Sequence, residues 1–479
     1  MNPNGQPHRP ILVVLTSHWI AMAGVALVTL AGFSWVFLLP ANAGGHVSNP
    51  YIGLLIFFAV PMVFFAGLAL IPVGIVLGRR KLTATLEAEG DRKAAWRRAG
   101  IFFAVMTVVN LIIASQASYR AVEHMETVQF CGQTCHVMQP EFTAHLQPRH
   151  QEVSCGSCHI APGATGWVKA KMAGTSQLIA VVLNNYPRPI ESAMENNKLV
   201  SSADTCEQCH ARGLVIGPRL RVITSYKDDE ANTRSETVLT MMVGGGRFGG
   251  IHGAHMGPGV HIRYAAVDKK RETIPWVEYT NTETQATRTY VSADAKANAI
   301  DSLAKFEMQC VDCHNRAAHS FELPDHAVDR AMAAGSISIG LPFVKKTGVE
   351  LLKANYASTE EAGQKIPSGL TAFYSQKYPD IAAERGSDIQ AAGNALAAIY
   401  QRNVFPDLKV TWGTYPNHLG HMDDPGCFRC HDDGHATPDK KTITQDCSAC
   451  HQAVAMDEAS PEVLKTLGVS DWTLKFQKP

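Results

Sequence analysis

The chain has 479 residues, with 43 basic and 43 acidic side chains, so its formal net charge is zero and its pI is near 7.3. That balance leaves no electrostatic footprint for a polyanion, so no nucleic-acid partner is expected, while the length suits two or three domains. The mean hydropathy of −0.05 is that of a soluble protein, but the apolar residues are concentrated in the first quarter.

Three apolar runs lie there, at residues 11–39, 51–77 and 101–115. Crossing a bilayer takes about 20 apolar residues, and the third run, which carries Asn110, is expected to extend outward on both sides. Arg79, Arg80, Lys81, Arg92, Lys93, Arg97 and Arg98 fall between the second and third runs, whereas residues 40–50 contain no Lys or Arg. The positive-inside rule therefore puts 79–99 in the cytoplasm, and 40–50 and everything after the third run outside. Ala41-Asn42-Ala43 has the form of a signal-peptidase site, but the run before it is longer than a signal h-region, so a retained helix is expected. His18 is the one histidine in these spans, and a b-type haem needs two facing each other. No haem b is expected, and His18 reads as a satisfied or near-interface residue.

Beyond the spans, all twelve cysteines fall in six pairs, each followed at once by a histidine. They are Cys131/Cys135-His136, Cys155/Cys158-His159, Cys206/Cys209-His210, Cys310/Cys313-His314, Cys427/Cys430-His431 and Cys447/Cys450-His451. The last five read C-x-x-C-H, the c-type haem attachment pattern, in which two thiols form thioethers and the adjacent histidine reaches the iron. The first has one extra residue between its thiols. A zinc site needs four ligands and no histidine after every second cysteine, and disulfides leave the histidines unexplained. Six covalently bound haems c are therefore expected. Such haem is attached outside the cytoplasm, on the side that the charge pattern gives independently.

Motifs one to three are clustered, and gaps of about a hundred residues precede the fourth and the last two. The first gap holds Gly244-Gly245-Gly246-Arg247-Phe248-Gly249-Gly250, then His252, His255 and His261. Short strands are expected at 260–267, 274–279 and 288–291, rich in aromatic and β-branched residues. The second gap reads as helical: Ser387 is placed to cap a segment whose Ile389, Leu396, Ile399 and Tyr400 share one face.

From the third apolar run to about His319 the chain resembles the NapC/NirT/NrfH family of membrane-anchored quinol dehydrogenases. The resemblance rests on Phe130-Cys131-Gly-Gln-Thr-Cys135-His136-Val137-Met138, on Cys155-Gly-Ser-Cys158-His159-Ile160-Ala161-Pro162 and on Trp167-Val168-Lys169-Ala170-Lys171. Thr205-Cys206-Glu-Gln-Cys209-His210 and Cys310-Val-Asp-Cys313-His314-Asn-Arg-Ala-Ala-His319 extend it. As a whole the chain is similar to the larger inner-membrane cytochromes of metal-reducing bacteria, the stretch from Trp412 through Met422 into Cys427 resembling their C-terminal extension. The resemblance implies a three-helix membrane anchor (1–118) and a NapC-like tetrahaem domain (119–330) with an insertion at about 225–300. A helical segment and dihaem domain (331–479) follow. The haem domain is expected to be mostly loops and helices around stacked haems, facing the periplasm from the bacterial inner membrane. It further implies oxidation of membrane menaquinol or ubiquinol and delivery of electrons to periplasmic cytochromes or reductases.

The motif histidines are the expected proximal ligands, except that in relatives the methionine two residues past the first can bind iron, so Met138 competes with His136. Eleven histidines lie beyond the third apolar run and outside the motifs. The resemblance assigns His319 to a neighbouring haem and places His150, with His145 as competitor, where relatives carry a ligand. His435 cannot easily turn back onto its own motif's iron and is expected to serve the last haem. His418 or His421 is expected to serve the fifth. Of His252, His255 and His261 one is expected to ligate, with His255 carried forward. His124 and His326 are left as spare.

For quinol, Lys171 matches the family's site lysine, with Lys169 beside it and Gln177 where several relatives carry an acid. A lysine beside a bilayer can equally be solvated or snorkelling. Glu123, His124 and Glu126 stand at a depth to take protons, or are plain interface residues. Two rival readings are a relay subunit without its own quinone site and a terminal reductase of a small inorganic substrate. The latter needs an open iron position.

Overall fold

The computed structural model describes residues 10–42, 59–87, 89–134, 136–147, 149–211, 214–295 and 300–468, with the backbone alone at 35–42, 79–87, 89–92, 134 and 136. The chain divides into two compact units, residues 1–134 and 135–479.

In the first unit a short helix, Ile11–Leu15, precedes α1 (Trp19–Asn42), α2 (Val60–Glu87) and α3 (Glu89–Met125). Val60–Gly78 and Lys93–Met125 are each long and apolar enough to cross a membrane; Trp19–Ser34 is apolar but shorter. The basic stretch expected as a loop is instead helical on both sides of residue 88, as its Ala, Leu, Glu, Lys and Arg favour. α1 and α2 meet through small residues: a Cβ on Gly24 would stand 2.7 Å from the Gly67 carbonyl oxygen. Such faces let apolar helices approach closely where no hydrophobic force drives them together. His18 sits just ahead of α1, its Nδ1 accepting the Ile20 N–H at 3.2 Å, in a cap position rather than the helix interior. Ala43 and the following residues to 50 lie outside the described residues.

The second unit opens with α4 (Gln139–His145), α5 (Cys155–His159) and α6 (Gly163–Val182). β1 (Arg219–Tyr226) and β2 (Arg234–Met241) form a hairpin, α7 (Gly250–Met256) follows the glycine run, and β3 (Val260–Ala265), β4 (Trp276–Asn281) and β5 (Ala286–Ser292) stand where the three strands are expected. Each of β3, β4 and β5 pairs antiparallel with its sequence neighbour. β6 (Lys305–Glu307) joins on the outer edge of β3, and β7 (His435–Ala436) on the outer edge of β5, giving the order β6-β3-β4-β5-β7.

A helical layer follows: α8 (Pro324–Ala333), α9 (Val344–Lys353), α10 (Thr359–Lys377) and α11 (Gly386–Asn403). Its core includes Leu341, Leu352, Ile366, Leu370, Tyr374 and Leu396, all fully buried. Ile389, Leu396, Ile399 and Tyr400 are buried together on α11 as their spacing requires, but Arg385 occupies the cap position and Ser387 lies inside the first turn. α10 and α11 approach closely at Gly393, where a Cβ would stand 2.8 Å from the Pro367 Cα.

The layer is keyed to the β1–β2 turn. Asn232, at φ 48°, donates to the carbonyls of Ile339 (3.0 Å) and Leu341 (2.9 Å) and accepts from the Lys345 N–H at 3.0 Å. Asp329 accepts both the Tyr226 N–H and the buried Lys345 ammonium. The last segment returns to the sheets: β7 (His435–Ala436) pairs with β5, and β8 (His451–Glu458) pairs with β2. Strands of the insertion are thus hydrogen-bonded to strands flanking the last two cysteine motifs, within one compact unit.

Candidate metal centres

Each described C-x-x-C-H motif winds into a single helical turn. Cys155–His159 and Cys310–Cys313 are short α-helices; the other three are 3-10 turns. Ser154 caps the second motif by accepting the Ser157 N–H at 3.3 Å, and Gln309 with Asp312 forms a reciprocal capping box around the fourth. The motif histidine closes the turn: His210, His314 and His431 donate their N–H to the carbonyls of Cys206, Cys310 and Cys427 at 2.8, 2.8 and 3.1 Å. Residues three apart on such a turn share a face, so both thiols and the following imidazole are presented together.

The imidazoles come in pairs. His159 lies 6.2 Å from His319 between ring centroids, His210 6.3 Å from His150, and His314 6.3 Å from His252. His431 lies 5.8 Å from His255, and His451 6.0 Å from His421. Two imidazoles on one metal, each at the roughly 2.0 Å of a metal–histidine bond, have centroids about 6.3 Å apart. Edge-to-face rings without a metal also fall at about this distance, so the separation alone decides nothing. Five motif histidines each meet a different histidine from outside the motifs. In the first motif Cys135 and the His136 side chain are not described; Met138 ends the short turn His136–Met138 and is 37 % exposed.

Second hydrogen bonds orient these rings. Nδ1 of His150 faces the Ala317 carbonyl at 3.0 Å, that of His319 the Glu141 carbonyl at 2.9 Å, that of His255 the Ile251 carbonyl at 2.7 Å and that of His431 the Thr444 carbonyl at 2.9 Å. A carbonyl only accepts, so Nδ1 carries the proton in each, and the Nε2 lone pair is left for a metal.

The remaining candidates are placed differently. His435 is 2 % exposed and has both ring nitrogens engaged, Nδ1 with Asp432 at 2.9 Å and Nε2 with the Ile274 carbonyl at 2.6 Å. The ring beside His451 is that of His421, which also stacks on Phe428 at 4.2 Å. His418 is 1 % exposed, burial pushes its pKa down to about 3, and among the described residues no motif histidine pairs with it. His145, also buried, lies 5.9 Å from His319, and its Nε2 has no hydrogen-bond partner. His261 and His326 are engaged with Glu307 and Asp423. His124 packs edge-on against Phe130.

Burial pushes the Cys313 thiol up to about 11 and the Cys430 thiol up to about 12. Among the described residues no group of three or more His, Cys, Asp or Glu side chains is gathered for a metal ion.

A buried network links the fourth and fifth motifs through their intervening residues. Arg271 donates to Asp312 Oδ1 at 2.8 Å, and Tyr264 donates to the same oxygen. Arg429 donates to the Asp312 carbonyl at 2.6 Å and to the Arg271 carbonyl at 2.9 Å. This network is not anticipated from sequence, and His252 is offered there only as one of three candidates. The available signal is the charge inside C-V-D-C and C-F-R-C, where a solvated residue is the usual expectation.

Lys171 lies on α6 with its Nζ 5.2 Å from the Trp167 ring centroid, one turn earlier. No residue of α6 is buried, and Met172, Leu178, Ile179 and Val182 stand exposed beside it, as do Lys169 and Gln177.

These centres are those of a membrane-anchored, multihaem c-type cytochrome working in electron transfer, and the chain belongs to the NapC/NirT cytochrome c family. Residues 93–215 match that family's N-terminal region. The chain is similar to the cytochrome c-type protein ImcH of Geobacter sulfurreducens, with 37 % identity over 454 residues covering 91 % of this chain and 87 % of that one. No solved structure matches it.

Proposed function

We propose that this cytochrome carries six haems c, oxidises membrane quinol and passes the electrons to periplasmic acceptors, with three helices in the inner membrane and the haem unit outside. The five imidazole pairs are the observation that carries the electron-transfer part. Bound haem c supplies reversible one-electron chemistry, and an iron with imidazole on both sides has no position open to a substrate. His159/His319, His210/His150, His314/His252, His431/His255 and His451/His421 are the proposed ligand sets, with His136 or Met138 at the first. This arrangement favours a conductor over a terminal reductase.

Quinol oxidation releases two protons with its two electrons, so the site needs polar groups at an apolar surface. α6 offers that combination: Lys171 held on Trp167, with exposed apolar side chains along the same helix. Lys171 is proposed to hydrogen-bond a quinone oxygen, with Lys169 and Gln177 as its polar neighbours.

Stopped-flow reduction by a menaquinol analogue tests this. Lys171→Leu should slow quinol-driven reduction at least tenfold while haem content and reduction by dithionite stay normal. Normal quinol kinetics in that variant would remove Lys171 from the site.

A further inference from the structure

The glycine run and α7 lie outside the segment that matches the family's N-terminal region, yet α7 holds the non-motif imidazole of two of the five pairs. We propose that α7 is a shared ligand helix: His252 completes the coordination of the fourth motif's iron and His255 that of the fifth. One helical turn then joins the NapC-like segment to the C-terminal dihaem segment in a single electron path. The inference rests on the haem-pair reading above and goes beyond it in giving one helix both ligands and the insertion a purpose.

The geometry is specific. Residues three apart on a helix lie on one face, their Cβ atoms about 5–6 Å apart. Here the two rings face different motif histidines, His314 and His431. A pair recruiting one ion of its own would instead turn both rings toward a common point. An independent tie joins the same two motifs from the other side, since Arg429 of the fifth donates to the Asp312 carbonyl of the fourth at 2.6 Å. Proximal and distal ligands of the two centres are thus each bridged by a fixed element.

α7 is also fixed in place. Its N-terminus is pinned by Ile251 N–H to the Met242 carbonyl and His252 N–H to the Val243 carbonyl, both at 2.9 Å. The glycine run makes this turn possible: Gly244 has φ 65°, and a Cβ on it would stand 1.9 Å from the Gly249 carbonyl oxygen. The run leaves β2 at Met241, whose partner across the sheet is His451 of the sixth motif, and Met242 N–H donates to the Cys450 carbonyl at 2.8 Å. His421, the ring paired with His451, stacks on Phe428 inside the fifth motif. The fourth, fifth and sixth centres are therefore positioned by one continuous set of contacts that starts at the insertion.

The test is electron paramagnetic resonance of the full-length ferric protein with His252→Ala, His255→Ala and the double variant. Each single variant should convert one haem, about one sixth of the total, from low to high spin, at a different centre, and the double variant two haems, about one third. Where an alanine variant loses haem, His255→Met decides: a ligand position keeps a low-spin iron and gains the near-infrared thioether-to-ferric-iron band. Fewer than five bis-imidazole low-spin haems in the unmodified protein would overturn the pair reading itself. An unmodified protein with five or more, combined with alanine variants of unchanged spin state, two variants affecting one centre, or a methionine variant without the band, would overturn the shared helix alone.

Discussion

At the residue scale, the assignment of an imidazole turns on what its second nitrogen is doing. His319, His150 and His255 each spend Nδ1 on a backbone carbonyl, which fixes the tautomer and leaves Nε2 for iron. His435 spends both nitrogens. His421 and His435, both candidates for the C-terminal haems, should therefore behave differently. His421→Ala should leave one haem high-spin, read in the ferric absorption spectrum, with stability changed less than spin state. His435→Ala should leave all haems low-spin and lower unfolding stability by about 1–3 kcal/mol, the cost of stranding buried polar partners, read by denaturant titration. A high-spin haem in the His435 variant would return that residue to the ligand set. The motif histidines are legible because cysteines and imidazole are contiguous. Which partner meets which motif is less so: the resemblance points to His319 and His150, whereas His252 and His314 are brought together only by the glycine turn and the sheet that follows it.

At the element scale, local pattern and long-range pairing separate in the same way. β3, β4 and β5 are legible because each is a β-branched or aromatic run paired with its sequence neighbour. β8 is not: it begins at a haem-motif histidine and finds its partner β2 some two hundred residues earlier in the chain. The apolar face of α11 is legible from its 3.6-residue period, whereas the docking of its layer on β1 rests on Asn232, Asp329 and Lys345, which sequence alone presents as ordinary surface residues. The Lys345 side chain is 4 % exposed and that of Asp329 10 %, and burial holds the Asp329 carboxyl above its usual range. Removing one member strands the other. Lys345→Met should destabilise the unit by about 3–5 kcal/mol in denaturant unfolding, whereas Lys353→Met, at the exposed pair with Asp325, should change it by less than about 1 kcal/mol. Equal effects would mean that the buried pair does not hold the layer to the hairpin.

At the scale of the whole molecule, charge and cofactor chemistry agree. Helices long and apolar enough to cross a membrane come first, a basic stretch lies between two of them, and every cysteine motif follows. The compact unit from 135 to 479 weaves strands of residues 219–292 and of the C-terminal segment into shared sheets, so these two stretches form one unit rather than beads on a string. Five closed imidazole pairs suit conduction, and an exposed apolar helix carrying Lys171 suits entry from a membrane quinol. The most direct test of that account is anaerobic mixing of the purified, detergent-solubilised protein with a reduced menaquinol analogue, following haem absorbance. Rapid partial reduction, blocked by a quinone-site inhibitor, is the predicted result. Protein that dithionite reduces fully but quinol leaves oxidised would contradict it and make the chain a relay fed by another subunit.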